Sequence, residues 1–126
     1  MSVALICLAL NVYHEARGEP ISDQVATAQA VIVRVRSPLY PNSICSVVRQ
    51  RDGEHCQFTW VCESIPNYDA RAWLTARLIA SAVLAGSGHA DFSATNYHAR
   101  RVRPDWAHLT PIGGYGGEHI YYTGGG

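Results

Sequence analysis

The sequence contains no lysine. Its ten positive residues are all arginine, and ten acidic residues balance them to a formal net charge of zero. Only 16% of the residues are charged. A chain without a basic excess has no whole-molecule field that attracts nucleic acid or an anionic membrane surface. We therefore expect no nucleic-acid partner, and the ligand has to be inferred from local motifs.

Long apolar runs are also missing. The longest apolar stretch lies in "MSVALICLAL" at the start of the sequence, and it is much shorter than the ~20 residues that cross a bilayer. No basic residue precedes it and no clear cleavage site follows it, so we interpret it as a core helix rather than a signal peptide. We expect no stable membrane insertion.

Cysteine is sparse, with four residues and no CxxC pair. This argues against a dense disulfide framework and against a zinc ribbon. Cys7 lies in the apolar stretch and is predicted to be an ordinary core residue. Cys56 and Cys62 flank "QFTW", and the sequence leaves open whether they form a bridge in an oxidising compartment or stay free.

What the chain does have is enough apolar material for one core. It has 126 residues, of which 48% are hydrophobic, so we predict a single domain over residues 1–126. Helical patterns cover residues 3–16, 22–36, 43–50 and 70–85. Ser22 or Asp23 is expected to cap the second helix, and Asp69 the fourth, whose inward side is predicted to include Leu78.

The C-terminal part has a different pattern. "ATNYHA" and "EHIYYT" are predicted to be short strands, and the glycine-rich "IGGYGG" between them a loop. Residues 57–65 are expected to be extended, and "RDGEH" before them to be a turn. The predicted fold class is therefore α+β, mainly α-helical, with a small β element.

The stretch "NVYHEARGEP" contains the most distinctive chemistry. Glu15 is predicted to lie in the last turn of a buried helix, where desolvation and the negative end of the helix dipole both raise a carboxyl pKa. A protonated carboxyl group suits general acid catalysis on a glycosidic oxygen. Arg17 is expected to turn away from it and pair elsewhere, for instance with Glu19, which is expected in an exposed loop. A structural role for Glu15, such as binding Arg34, stays open on position alone.

Several segments in order resemble the SleB/CwlJ-type cell-wall hydrolase family, which includes spore-cortex-lytic enzymes and phage-encoded lysins. These segments are "NVYHEARGEP", "VATAQAVIVRVRSPLYPNSICSVV", "QFTW", "ATNYH", "PDW" and "EHIYY". The resemblance implies a fold like goose-type lysozymes and lytic transglycosylases. It also implies cleavage of the β-1,4 bond between N-acetylmuramic acid and N-acetylglucosamine, with Glu15 as the catalytic acid.

The resemblance also bears on the mechanism. Some family members cut by transglycosylation and leave a 1,6-anhydromuramoyl end, for which one glutamate suffices, whereas hydrolysis calls for a second carboxylate. The carboxylates outside this motif have no comparably distinctive setting, and Glu118 is the best of them. We therefore rank a lytic transglycosylase above a hydrolytic muramidase.

Two positions depart from the family pattern. Val33 stands where many members have asparagine, and His14 where the better-known spore enzymes have glycine. The role of His14 stays open.

Residues of two other segments are candidates for binding the sugar chain. Gln57, Phe58 and Trp60 suit a groove for amino sugars, since an amide can bond an N-acetyl group and a ring can stack on a pyranose. Tyr97, His98, His119 and Tyr121 lie in the two predicted strands, where alternation gives Tyr97 and His98 opposite faces. For the rings of both segments a role in the core is a comparable alternative.

Two further functions come from other classes. A zinc-dependent peptidoglycan amidase would use His14, His98 and His119 with a glutamate, but "HEARG" has glycine at position 18, where a zinc-protease helix has its second histidine. We therefore predict no metal and no cofactor. A non-catalytic cell-wall-binding module would rest on the aromatic residues alone.

The family resemblance also sets expectations for partners and location. We expect a monomer that acts on peptidoglycan glycan strands in the cell wall, outside the cytoplasm in which it is made. The pattern fits a phage or prophage endolysin that depends on a holin-type partner for release. An excised domain of a longer enzyme fits the same pattern.

Overall fold

The computed structural model of the chain describes residues 2–52, 55–58, 68–106 and 109–124. Within these ranges the elements are, in order, α1 (Val3–Ala16), α2 (Ile21–Arg36), α3 (Ile44–Val48), β1 (Arg51–Asp52), β2 (His55–Cys56), α4 (Ala70–Leu84), β3 (Asn96–Ala99), β4 (Thr110–Gly113) and β5 (His119–Thr123). The predicted α+β class, mainly helical, is confirmed.

Helix α1 is the centre of the helical part and packs against α2, α3 and α4. This explains why it is apolar on nearly all sides. Ser2 caps it by accepting a hydrogen bond from the amide of Leu5, at 3.1 Å. It ends at Ala16, and Gly18 then takes a φ of +84° that favours glycine. The predicted bounds are confirmed. Among the described residues, no helix is both long and apolar enough to cross a membrane.

The start of α2 differs from the prediction. The helix begins at Ile21 after Pro20 and has no side-chain cap. The hydroxyl of Ser22 donates to the carbonyl of Tyr115 instead, and the carboxyl of Asp23 accepts from the ring of His119. Both predicted capping side chains therefore bind the C-terminal part of the chain instead of the helix start. The predicted cap was wrong because local spacing does not show such distant partners.

The segment after α2 is more divided than predicted. Helix α3 has five residues. The predicted turn at 51–55 is a short antiparallel pair, with Asp52 opposite His55 in β1 and β2. Most of the predicted extended segment 57–65 lies outside the described residues.

Helix α4 confirms its predicted ends. Asp69 accepts from the amide of Ala72 at 3.0 Å, and Gly86 follows the helix with a φ of +101°. Its buried side consists of Ala76, Ile79, Ala80 and Val83. Leu78 was predicted to face inward, but it is 63% exposed. With ~3.6 residues per turn, Leu78 lies on the side of α4 opposite these buried residues, so the helical period itself places it outside the contact.

The three-stranded sheet has the order β3-β5-β4 and is antiparallel throughout. Strands β3 and β5 were predicted, whereas β4 was not, and it includes the first residues of the predicted glycine-rich loop. In β3 and β5, Tyr97 pairs with Tyr121 and Ala99 pairs with His119. Since successive side chains alternate, Tyr97, His119 and Tyr121 share one face of the sheet. We call this the carboxylate face, because it lies against Glu15 and Asp23.

A disulfide joins Cys7 of α1 to Cys45 of α3, with Cα atoms 5.3 Å apart. The prediction that Cys7 is an ordinary core residue was therefore wrong. A cross-link across 38 residues reduces the entropy of the unfolded chain and typically adds ~2–4 kcal/mol of stability. Cys56 is also disulfide-bonded. The sequence left open a bridge between Cys56 and Cys62, and Cys62 lies outside the described residues.

Candidate active site

Glu15 lies in the last turn of α1, between the core of the helices and the sheet. Its Oε1 accepts a hydrogen bond of 2.8 Å from the hydroxyl of Tyr97 in β3. The neighbouring residues Val12 and Ala16 are buried in the core. The helix ends directly after Glu15, so the carboxyl group is held by a rigid element at the edge of the core.

The environment of Glu15 favours its protonated form. Burial raises the pKa of this carboxyl group, while the hydrogen bond from Tyr97 and the positive charges of His119 and Arg34 lower it. Desolvation is the largest of these effects, and the pKa is raised overall. The direction agrees with the expectation from the sequence. A protonated carboxyl group next to two cationic side chains can donate its proton and then be stabilised as a carboxylate.

Tyr97 is a neutral donor to Glu15. Burial raises the pKa of its hydroxyl well above the ordinary value, and the negative charges of Glu15 and Tyr121 raise it further. The hydroxyl therefore stays protonated and remains available as a donor to Glu15 over the physiological pH range.

Arg34 of α2 supplies a buried positive charge near this pair, with 3% of its surface exposed. Its Nε donates to the carbonyl of Thr95 at 2.6 Å, and its guanidinium lies 5.0 Å from the ring centres of Tyr40 and Phe58. It forms no ion pair with Glu15 within the described part of the chain. Arg34 thus acts on Glu15 through its charge. The direct ion pair that would have made Glu15 structural is not formed.

His119 is the second group on the carboxylate face. Its Nδ1 lies 2.6 Å from Oδ2 of Asp23, whose side chain is fully buried. The ring of Tyr97 meets that of His119 edge to face, with centres 5.1 Å apart. Burial lowers the pKa of His119, but the hydrogen bond to Asp23 and the negative charges of Asp23, Glu15 and Glu19 raise it overall.

Glu19 does not take the place predicted for it, whereas Arg17 turns away from Glu15 as predicted but binds Tyr13. Glu19 is half-buried, and its Oε1 accepts the amide of Glu118 at 2.7 Å, which ties the end of α1 to the start of β5. Arg17 turns away from Glu15 as expected. It donates to the hydroxyl of Tyr13 at 2.6 Å and lies over that ring. The expectation of an exposed loop position for Glu19 was wrong, because the C-terminal tail covers it.

His98 is not brought to Glu15. It lies on the opposite face of β3 from Tyr97, stacked on Tyr122 with centres 5.4 Å apart and close to Trp106. Its Nε2 lies 2.9 Å from the hydroxyl of Tyr122. We call this the aromatic face of the sheet, defined by His98, Trp106 and Tyr122.

The remaining candidates differ in accessibility. Gln57 is exposed, whereas Phe58 is buried in the helical core. Tyr121 is fully buried, and its hydroxyl lies 3.0 Å from Oδ1 of Asp23. Trp60 lies outside the described residues. The structure thus gathers Tyr97, His119 and Tyr121 near Glu15, with Tyr121 behind His119.

The three histidines of the zinc hypothesis do not converge. Among the described residues, the one group of at least three potential metal ligands is Glu19, Asp23 and His119. Its atoms already bind one another or the backbone, since Asp23 accepts from His119 and Glu19 accepts an amide. His14 instead contacts the ring of Tyr13 edge to face, and its pKa is lowered by burial and by the charge of Arg17.

An open groove of about 300 Å³ lies between the C-terminal end of α1, the start of α2 and the first turns of α4, and its lining includes Arg17 and Arg71. None of the predicted site residues that the structure describes lines it. The groove is therefore separate from the Glu15 cluster.

Sequence reasoning missed one member of this cluster. The sequence predicts Ser22 or Asp23 as a helix cap and gives Asp23 no part in the site. One sequence signal pointed elsewhere, the unusual density of glycine at 113–117. Gly117 packs so closely on Asp23 that a Cβ there would lie 2.8 Å from Oδ2 of Asp23.

Comparison with known proteins places these features in a family. The Cell Wall Hydrolase family model matches residues 18–122, so Glu15 precedes the matched region by three positions. A stretch of 41 residues is 54% identical to the spore cortex-lytic enzyme of Bacillus subtilis (strain 168), covering 32% of this chain and 13% of that enzyme. The corresponding enzyme of Halalkalibacterium halodurans is 44% identical over 41 residues, 12% of its length. The matched stretch is thus a small part of these curated relatives.

Solved structures agree over the whole chain. The catalytic domain of the germination-specific lytic transglycosylase SleB from Bacillus anthracis has a TM-score of 0.73 and 26% identity, covering 98% of this chain and 97% of that domain. The catalytic domain of the Bacillus cereus SleB protein has a TM-score of 0.69 and 26% identity, covering 97% of this chain and 91% of that domain. The predicted lysozyme-like fold and the predicted enzyme class, a peptidoglycan-degrading enzyme, are confirmed for this domain. The chain belongs to the Cell Wall Hydrolase family.

Proposed function

We propose that residues 1–126 form one catalytic domain that cleaves the β-1,4 bond between N-acetylmuramic acid and N-acetylglucosamine in peptidoglycan. It acts as a lytic transglycosylase, with Glu15 first as general acid and then as general base. The fold of the SleB catalytic domain supports the substrate class.

One observation carries this proposal. Glu15 is a half-buried residue whose carboxyl pKa is raised by desolvation, and it is flanked by the hydroxyl of Tyr97 and the charge of Arg34. A carboxyl group with a raised pKa holds its proton to a higher pH than an ordinary glutamate does, and it can transfer that proton to a poor leaving group. The cationic neighbours then stabilise the carboxylate that results.

The proposed reaction uses only Glu15 and groups of the substrate. Glu15 donates its proton to the glycosidic oxygen, so the bond to C1 of the muramoyl residue breaks and N-acetylglucosamine leaves with a free hydroxyl. The Glu15 carboxylate then takes the proton of the muramoyl C6 hydroxyl, whose oxygen bonds C1. The product is a 1,6-anhydro ring, and Glu15 is protonated again without the entry of water.

Hydrolysis is the second candidate, and Glu19 favours it. This half-buried carboxylate is close enough to raise the pKa of His119. It could therefore serve as the base for an attacking water. Against this, its Oε1 is held by the amide of Glu118. We therefore keep transglycosylation as the proposal.

Mass spectrometry of muropeptides released from purified cell walls tests the proposal. A lytic transglycosylase gives anhydromuramoyl ends, which are lighter by one water than the reducing ends made by a muramidase. If reducing ends predominate, and if Glu19→Gln no longer releases them, hydrolysis replaces transglycosylation as the function. Cleavage at the peptide that disappears with a strong chelator and returns with zinc would support the amidase instead. A protein that releases nothing from walls but still binds them would be a wall-binding module.

The sugar chain is proposed to run along the carboxylate face. His119 and Tyr97 are the contacts nearest Glu15, and the exposed amide of Gln57 suits an N-acetyl group. Trp60 is retained as a proposed contact from the sequence. Phe58 and Tyr121 are buried, so we assign them to supporting Arg34 and Asp23 rather than to direct contact with sugar. His98, on the aromatic face, is proposed to play no part in binding the glycan near Glu15.

For the biological setting we propose action on the cell wall outside the cytoplasm, by a monomer. The Cys7–Cys45 disulfide supports an oxidising compartment. A phage or prophage endolysin role with a holin-type partner is tested by expressing the chain in bacteria with and without a membrane-permeabilising protein. Lysis only with that protein supports the role. Lysis without it would show that the chain reaches the wall by another route.

A further inference from the structure

Asp23 is a fully buried carboxylate next to the proposed active site. Both of its oxygens are used, with Oδ2 at 2.6 Å from Nδ1 of His119 and Oδ1 accepting from the hydroxyl of Tyr121 at 3.0 Å. The hydroxyl of Thr27 lies 3.0 Å from that of Tyr121 and extends the network. A buried charge is costly unless it is paired and hydrogen-bonded. The fold thus holds this carboxylate in one position and satisfies it completely.

The glycine-rich loop adds a constraint from the other side. A Cβ at Gly117 would lie 2.8 Å from Cβ, Cγ and Oδ2 of Asp23, which is closer than such atoms approach. The loop therefore packs directly on Asp23 through a residue without a side chain. The segment was predicted to be a loop, and in the structure it closely approaches Asp23.

The bond to Asp23 decides which nitrogen of His119 is free. An acceptor at Nδ1 fixes the proton on that nitrogen and orients the ring. Among the described residues, Nε2 of His119 has no hydrogen-bond partner, and 11% of the side chain is exposed. The ring lies against Tyr97, which binds Glu15. Nε2 is thus the one polar atom of His119 left for a ligand.

We propose that Asp23 is a positioning residue, which holds His119 so that Nε2 presents a hydrogen-bond donor to the glycan beside Glu15. This rests on the proposed function. The groups that face His119 are the carboxylates of Asp23, Glu15 and Glu19 and the rings of Tyr97 and Tyr121. Burial lowers the pKa of the His119 ring, but the hydrogen bond and charge of Asp23, with smaller effects of Glu15 and Glu19, raise it overall. The bond at Nδ1 orients the ring, and the raised pKa shifts it toward the imidazolium, the form in which Nε2 carries a proton.

The test compares Asp23→Asn with Asp91→Asn, a matched change at an exposed position outside the site. The first variant keeps the shape of the side chain and removes its charge. We expect its rate of muropeptide release to fall at least ~10-fold, the scale of one lost hydrogen bond to a charged group. The control should stay within about twofold of the parent, as surface substitutions usually do.

Nitrogen NMR of the His119 ring gives a readout that a loss of stability alone does not move. In the parent we expect Nδ1 to be protonated and the pKa of the ring to lie above the ordinary value. In Asp23→Asn the pKa falls and the Nδ1 signal changes. An unchanged rate together with an unchanged ring signal would overturn the proposal.

Gly117→Ala is the second variant, used if Asp23→Asn does not fold. The added methyl group pushes on Asp23 from the loop side and displaces its carboxylate. We therefore expect the same loss of rate and the same change in the His119 signal. Unchanged values of both would again overturn the role of Asp23. A parent protein that releases no muropeptides overturns the proposed function instead, and the ring signal of His119 distinguishes the two failures.

Discussion

The two faces of the β3–β5 pair contain the same residue types and differ in what lies against them. On the carboxylate face, Tyr97 and His119 each bond a carboxylate, from Glu15 and from Asp23. On the aromatic face, His98 stacks on Tyr122 and meets Trp106. Tyr97 and His119 therefore belong to a charged network, whereas His98 and Tyr122 belong to an aromatic stack.

This difference shows where the chemistry of the sheet originates. Histidine and tyrosine acquire unusual ionisation only when burial brings them against charged partners. Helices α1 and α2 supply those partners from the last turn of one and the first turn of the other. The sheet supplies the donor groups, and the helix ends supply the carboxyl groups that bind them on one of its faces.

The strongest test of the carboxylate face removes its acid. Glu15→Gln keeps the shape of the side chain but has no proton to donate, so we expect the rate of muropeptide release to fall at least ~100-fold, the lower range for general acid catalysis. The matched control is Glu118→Gln at an exposed position, which should remain within about twofold of the parent. Retained activity in Glu15→Gln would move the acid elsewhere, and a large loss in Glu118→Gln would point to a second carboxylate.

The second test compares the two histidines. His119→Gln removes the ring held by Asp23, and we expect a ~10- to 100-fold loss of rate, since a hydrogen bond to a charged group contributes ~1.5–3 kcal/mol. His98→Gln changes only the aromatic face and should affect the rate much less. Thermal unfolding checks that both variants fold. Equal losses of rate in folded variants would contradict the distinction between the faces.

The stability of Glu15→Gln should depend on pH in a defined direction. Because burial raises the pKa of Glu15 in the folded protein, its contribution to stability is present below the pKa of the unfolded chain and is lost as pH rises through the folded value. Glutamine does not ionise, so the variant should gain stability relative to the parent as pH rises. Melting temperatures across the acidic to neutral range check this, and a difference that does not change with pH would contradict it.

The smallest expected effect comes from the tyrosine hydroxyls. The Tyr97 hydroxyl lowers the pKa of Glu15, so Tyr97→Phe should raise that pKa and move the alkaline loss of activity to higher pH. Tyr122→Phe removes a hydroxyl from the aromatic face and should leave the pH profile unchanged. Rates measured across pH for both variants check the direction. A shift to lower pH in Tyr97→Phe would contradict the assigned role of its hydroxyl.

Much of the fold follows from local sequence patterns, and the site only in part. The ends of α1 and α4 were predicted because Gly18, Asp69 and Gly86 act locally as stop and capping signals. Alternation correctly separated Tyr97 from His98. The Cys7–Cys45 disulfide was missed because spacing does not reveal contacts between helices.

The role of Asp23 was missed for a similar physical reason. In the sequence it satisfies the rule for a helix cap, and its true partners lie almost a hundred residues away, at His119 and Tyr121. Long-range contacts therefore define the parts of the site that local patterns do not. Leu78 is a different kind of error, since a period of ~3.6 residues already places it opposite the buried side of α4.

The central claim is that burial at the end of α1 raises the pKa of Glu15, against the hydrogen bond from Tyr97 and the charges of His119 and Arg34. Carbon NMR of the glutamate carboxyl groups during a pH titration, with Glu15→Gln used to assign the signal, measures this directly in the parent protein. A pKa for Glu15 above the ordinary value of 4.5 is the predicted result. A value at or below it would contradict the account.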